Sequence, residues 1–161
     1  MIEVRWHARA GQGAKTAAQL LAEAMLRAGK GVQAFPEYGP ERRGAPLRAY
    51  TRIDDRPIRR HDAVTRPDLV VVLEPSLAHE AYVTEGAKEN TIVLVAGDAA
   101  PAGATAVPAR RNVNLVLLGA VAATLDQPLE PFEGAAVALL GHKAGEHAIR
   151  QALREGYACR S

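Results

Sequence analysis

Residues 2–17 read Ile2-Glu3-Val4-Arg5-Trp6-His7-Ala8-Arg9-Ala10-Gly11-Gln12-Gly13-Ala14-Lys15-Thr16-Ala17, and the hydrophobic period changes inside them. Ile2, Val4 and Trp6 alternate with Glu3 and Arg5, the two-residue period of a strand with one buried face. Ala10-Gly11-Gln12-Gly13 then favours a tight turn. Beyond it Ala17, Leu20, Leu21, Ala24, Met25 and Ala28 recur at the spacing of one helical face, and Gly29 and Gly31 follow a basic last turn carrying Arg27 and Lys30. Strand, glycine turn and helix in this order open a βαβ unit and predict an α/β fold.

Working outward, Val32 to Phe35 reads as the second strand of that unit, a parallel neighbour of the first, closed by Pro36, which cannot donate to a ladder. Glu37-Tyr38-Gly39-Pro40-Glu41-Arg42-Arg43-Gly44-Ala45-Pro46 has neither period and reads as an ordered loop. Leu47 to Ile53 alternates again, Asp54-Asp55-Arg56-Pro57 supplies turn residues, and a return strand from Ile58 predicts a hairpin insertion. Leu69 to Leu73 and Ile92 to Val95 are continuous apolar runs, the pattern of strands buried on both faces in a parallel sheet. A helix is predicted over 75–85, a short strand over 105–107, a helix over 112–125 ended by Pro128, and a last helix over 146–154 stopping at Gly156. The expected architecture is one Rossmann-like domain over residues 1–161: a mostly parallel sheet with helices on both faces and a β-hairpin insertion.

Composition narrows the function. The 161 residues are 48% apolar but only 4% aromatic, which predicts an aliphatic core. With 20 basic and 18 acidic residues the net charge is +2, and no basic run of the kind that neutralises many phosphates appears, so nucleic acid is not an expected partner. Glu3, Arg5 and Arg9 interrupt any secretory signal, and no run of 18 apolar residues predicts a membrane span. Cys159 is the single cysteine, so an internal disulfide or a cysteine-held cluster is excluded, and a reducing cytoplasm is the expected compartment.

A glycine turn at a helix start exposes backbone N–H groups to an anion. The dinucleotide fingerprint spacing falls on Ala8, Ala10 and Gly13, so methyl groups stand at the two positions where glycine permits the tight turn and close phosphate approach. Lys15-Thr16 lacks the glycines of a P-loop. The turn therefore reads either as a plain connection or as an anion contact. A stand-alone nucleotide-binding Rossmann-like module of unrelated function is the alternative reading of the whole chain.

The motif His7-Ala8-Arg9-Ala10-Gly11-Gln12-Gly13 with Ala14-Lys15-Thr16-Ala17, and the loop from Phe35 to Pro46, together resemble the gamma subunit of pyruvate:ferredoxin oxidoreductase. Arg52 to Ile58, Pro67 to Glu74, Leu118-Gly119-Ala120 and the segment 146–156 resemble further blocks of that family, so the likeness covers nearly the whole chain. The resemblance implies a multi-subunit enzyme that oxidatively decarboxylates a 2-oxoacid, with pyruvate favoured, to acyl-coenzyme A and CO2 while reducing ferredoxin. It implies alpha, beta and delta partner subunits, thiamine diphosphate, magnesium and 4Fe–4S clusters in those partners, and none of these bound by this chain alone. Gly11, Gln12, Gly13, Lys15, Arg42 and Arg43 are then candidate contacts for coenzyme A or its phosphates. Glu37, Tyr38 and Glu41 are candidate subunit-interface residues. No residue is assigned a catalytic role.

The remaining polar residues have plainer readings. His7, His61, His79, His142 and His147 show no ligand spacing with a supporting carboxylate, so no metal site is expected. Glu37 and Glu41 are expected to pair with neighbouring arginines, and Asp54 and Asp55 to serve a turn. No nucleophile elbow is present, so an independent hydrolase is not expected.

Overall fold

The period change read at residues 2–17 is realised as β1 (Ile2–Arg9) followed by α1 (Ala14–Arg27). The computed structural model describes residues 1–37 and 44–159. Trp6 shows why the two elements pack. It is fully buried, and its indole N–H donates to the Thr51 hydroxyl at 3.1 Å, which in turn donates to the Ala18 carbonyl of α1 at 3.0 Å. The apolar side of β1 is thus fixed to the helix by a polar bridge as well as by burial.

The other strands are β2 (Gly31–Pro36), β3 (Pro46–Asp54), β4 (Leu69–Val72), β5 (Ile92–Ala96) and β6 (Thr105–Val107). Their order in one six-stranded sheet is β2-β3-β1-β4-β5-β6. β1, β4, β5 and β6 are mutually parallel, whereas β3 runs antiparallel to both β1 and β2. The expected α/β sheet is present, with two corrections to its pairing.

First, β2 does not lie beside β1, because β3 is inserted between them. Second, the hairpin is made by β2 and β3 around the loop after Glu37, not by β3 and a strand from Ile58. The reason lies in Pro57, which lacks an N–H, and in Gly31, where an added Cβ would fall 2.2 Å from the Arg56 carbonyl oxygen. Residues 56–61 cross over the end of β2 and are held there by Gln33 reaching the Arg60 carbonyl.

Helices were expected on both faces of the sheet, but all four α-helices lie on one. α1, α2 (Val113–Thr124), α3 (Glu130–Ala144) and α4 (Glu146–Ala158) share one large core with Val4, Trp6, Leu69, Val71 and Leu94. On the opposite face Val70, Val72 and Val95 pack under two short 3₁₀ turns, Pro75–Leu77 and Ala81–Val83. These turns replace the α-helix expected over 75–85. The buried residues there are Leu77 and Val83, six apart, a spacing that no single α-helical face provides.

α3 was not expected from sequence. Its first turn holds a proline, where a missing N–H costs nothing, and its buried residues are Phe132, Glu133, Ala135 and Ala136, a mix with no run of large apolar residues. Buried Glu133 joins it to α4 by accepting from Arg150 at 2.7 Å and Arg154 at 2.8 Å. α4 runs through Gly156 instead of stopping there, because that glycine is where α4 crosses α2. An added Cβ would fall 1.7 Å from the Val116 carbonyl oxygen, and one at Gly119 of α2 would fall 2.0 Å from that of Leu153.

Candidate functional site

In an open α/β sheet, ligands bind outside the carboxyl ends of the strands where the connections diverge. Here that point lies between β1, whose crossover leads to β2, and β4, whose connection leads to β5 on the other side. The residues there are the glycine turn and the segment after β4.

Gly11 and Gly13 have φ of +92° and +86°, values favoured only by glycine. Gly13 is also crowded, since an added Cβ would lie 2.5 Å from the Asn114 amide nitrogen at the start of α2. Gln12 is turned inward. Its Oε1 accepts the Arg9 N–H at 2.7 Å, and its Nε2 donates to Glu74 Oε2 at 2.7 Å. Glu74 also accepts the Ser76 N–H at 3.2 Å. Burial works to raise the Glu74 carboxyl, but the bonds from Gln12 and Ser76 and the charge of Arg9 outweigh it and hold the carboxyl below its usual range.

The crevice is therefore spanned by the chain's own amide and an ionised carboxylate. Lys15, by contrast, is exposed in the first turn of α1. That turn has Gly13 as its N-cap, no side-chain cap bond and no acidic residue. A cation at a helix N-terminus opposes the helix dipole, so the arrangement is one an incoming anion would relieve.

Gly11, Gln12, Gly13 and Lys15 lie on the turn from β1 into the first turn of α1. Tyr38, Glu41, Arg42 and Arg43 lie outside the described residues. The two roots of their loop are fixed. On one side Ala10 N–H donates to the Ala45 carbonyl at 3.1 Å, and Arg9 donates to the Gly44 carbonyl at 3.0 Å. On the other, Glu37 N–H donates to the Arg48 carbonyl at 2.9 Å, and the Glu37 carboxylate accepts the Tyr50 hydroxyl and lies 3.8 Å from Arg48. Glu37 is thus anchored within its own chain. Burial, then the bond to Glu37, raises the Tyr50 phenol to about 12.

Sequence reading missed Arg9, Arg48, Tyr50 and Glu74 as partners of these residues. It also missed a buried polar layer beneath them. Arg5, His7, Tyr50 and Arg52 are 2% exposed or less, all on the face away from the α-helices. The register sets Arg5 beside Tyr50 and His7 beside Arg48. Arg5 donates to His7 Nε2 at 3.1 Å and to the carbonyls of Val64, Val83 and Glu85. Burial, with Arg5 and then Arg48 adding repulsion, lowers His7 to about 3, so its ring is neutral. Arg52 pairs with Glu3 at 2.8 Å. Among the described residues no cluster of three potential metal ligands occurs. Nor is any described helix long and apolar enough to cross a membrane.

Residues 3–159 match the family model described as pyruvate ferredoxin/flavodoxin oxidoreductase. The chain is 44% identical over 178 residues to the pyruvate synthase subunit PorC of Thermotoga maritima, an alignment covering 96% of this chain and 92% of that one. It is 59% identical over 95 residues to the pyruvate/ketoisovalerate oxidoreductases common subunit gamma of Thermococcus litoralis, 59% of this chain and 51% of that one. The crystal structure of the Thermotoga maritima pyruvate oxidoreductase subunit superposes with a TM-score of 0.84 at 38% identity, covering 98% of this chain and 95% of that one. These likenesses give no support to a stand-alone nucleotide-binding module. The loop and glycine-turn motifs, the order of the strands and these comparisons converge: the chain belongs to the pyruvate ferredoxin/flavodoxin oxidoreductase family, as a subunit of the gamma type.

Proposed function

We propose that the chain works inside a complex with alpha, beta and delta subunits that oxidatively decarboxylates a 2-oxoacid, pyruvate foremost, and passes the acyl group to coenzyme A and the electrons to ferredoxin. Its own part is assembly and contact with coenzyme A phosphates, in the cytoplasm and without nucleic acid or membrane. Residues 1–161 act as one domain in this reading. Thiamine diphosphate and magnesium belong to the partners, as do the 4Fe–4S clusters, since a cluster takes four thiolates and this sequence offers Cys159 alone.

The observation that carries the coenzyme A part is the first turn of α1, with its exposed Lys15, its glycine N-cap and no carboxylate of its own. A phosphate there would accept from the helix N–H groups and pair with Lys15. Arg42 and Arg43 would add charge from the loop. Gln12 and the two glycines shape the turn and leave the contact to backbone and cations, while Glu37, Tyr38 and Glu41 belong to the face turned to partner subunits.

The test is steady-state kinetics of the assembled enzyme with saturating pyruvate. Lys15→Gln and the double change Arg42→Ala with Arg43→Ala are expected to raise the coenzyme A KM by about tenfold, the effect of one lost charge-assisted bond, at unchanged kcat. If both the coenzyme A KM and complex assembly stay at wild-type values, the reading is wrong. Subunits of the 2-oxoacid enzyme that fail to co-purify with the chain would refute its assembly role.

A further inference from the structure

Residues 56–66, between β3 and β4, form neither helix nor strand and cross the face of the sheet that the α-helices leave open. This strap is held by carbonyls turned inward. Gln33 of β2 donates to the Arg60 carbonyl, Arg52 of β3 to that of Ala63 at 3.3 Å, and Arg5 of β1 to that of Val64 at 3.3 Å. One end is wedged against Gly31; at the other, an added Cβ on Gly86 would fall 1.9 Å from the Thr65 carbonyl oxygen. Val64 is its buried side chain, whereas Arg56, Arg59, Arg60, His61 and Arg66 are exposed.

The strap holds four arginines and one aspartate in 11 residues, a net charge of +3, while all 161 residues together carry +2. The carboxylates around it are already engaged. Asp62 accepts from Arg60 at 2.9 Å, Asp55 pairs with Lys30, and Glu3 pairs with Arg52 at 2.8 Å. Arg59 and Arg66 enter no ion pair among the described residues. Beneath the strap, Arg5 spends its hydrogen bonds on His7 and backbone carbonyls rather than on a carboxylate. The positive field is therefore not cancelled from within the chain. Mixed signs on a loose segment make a solvated face; one sign on an anchored backbone steers and orients a partner of opposite charge.

We propose that the strap docks a carboxylate-rich surface of a partner subunit, with Arg59 and Arg66 as the contacting cations. Charge complementarity selects this occupant. A second copy joined about a twofold axis through this face would set the strap against itself and be repelled. Planar guanidiniums take carboxylates through paired hydrogen bonds, and an anchored backbone leaves only side chains to be ordered on binding. The inference rests on the proposed role of the chain in assembly, and adds a second contact surface to that of Glu37, Tyr38 and Glu41.

The test is titration of the labelled full chain into its co-expressed partner subunits at low and high salt. Arg59→Glu with Arg66→Glu is expected to raise the Kd by about tenfold or more at low salt and to flatten its salt dependence, because two attractions become repulsions. Arg59→Gln with Arg66→Gln, which only removes the charges, is expected to raise it about fivefold. Both side chains are exposed, so the melting temperature of the chain is expected to stay at the wild-type value in each variant. Lys143→Glu reverses an exposed charge on α3, across the sheet from the strap, and is expected to leave the Kd unchanged.

Equal weakening by Lys143→Glu overturns the proposal, since net charge rather than the strap would then govern binding. Wild-type affinity in the double variants with a raised coenzyme A KM also overturns it and assigns the strap to coenzyme A. A wild-type chain that does not assemble overturns the functional reading and this proposal with it. Assembly of the wild type with indifferent double variants overturns this proposal alone.

Discussion

Gly13 meets two separate demands: a left-handed backbone and room for the Asn114 side chain. Gly13→Ala is therefore expected to lower stability by about 1–3 kcal/mol, more than Gly11→Ala, where φ is the sole constraint, as urea titration of both variants would show. His7 gives a pH signature. Its folded pKa is about 3, below the usual 6.5, so between these values the unfolded chain binds a proton that the folded chain refuses. Stability from this group is complete above pH 6.5 and falls as pH drops, by about 1.4 kcal/mol per unit. His7→Gln is expected to flatten the thermal-melting profile between pH 6.5 and 5, where carboxylates remain ionised; an unchanged slope would assign the acid sensitivity elsewhere. The layer that creates this shift was illegible in sequence for a clear reason. Glu3, Arg5, His7 and Arg9 alternate with apolar residues, the pattern of a solvated face, and only the register with Tyr50 and Arg48 reveals that this face is enclosed.

Among the elements, the helices α2 and α4 meet through glycines, with Gly119 under the Leu153 carbonyl and Gly156 under that of Val116. Gly156→Ala would force backbone apart, and a loss of about 3 kcal/mol is expected, with α4 amides losing hydrogen-exchange protection before those of β1. A helix-stop reading of Gly156 was reasonable from sequence, since the same residue ends helices and lets them cross. β1, α1, β4 and β5 were legible because each carries a strong period or an unbroken apolar run. Strand neighbours were not. Nothing local in Val32 to Phe35 says that β3, later in the chain, will separate it from β1. α3 stayed hidden behind Pro128 and Pro131 and a buried face that mixes Phe132 with a charged Glu133 and two alanines.

At the scale of the whole molecule, the family was legible in the loop that no folding requirement dictates, whereas the bond from Gln12 to Glu74 across the glycine turn was not, because it joins residues 62 apart. The sheet has one seam. β1 alone joins the antiparallel half, through β3, to the parallel half, through β4. Its amides are expected to exchange most slowly, and those of the edge strands β2 and β6 fastest; equal rates would mean that the halves open independently. The seam has a consequence for synthesis. β1 leaves the ribosome before either neighbour exists, and at roughly 5–20 residues per second its second partner, Leu69–Val72, follows several seconds later. During that interval the charges of Glu3, Arg5 and Arg9, of which Arg5 is later buried, act as gatekeepers that keep an unpaired strand soluble.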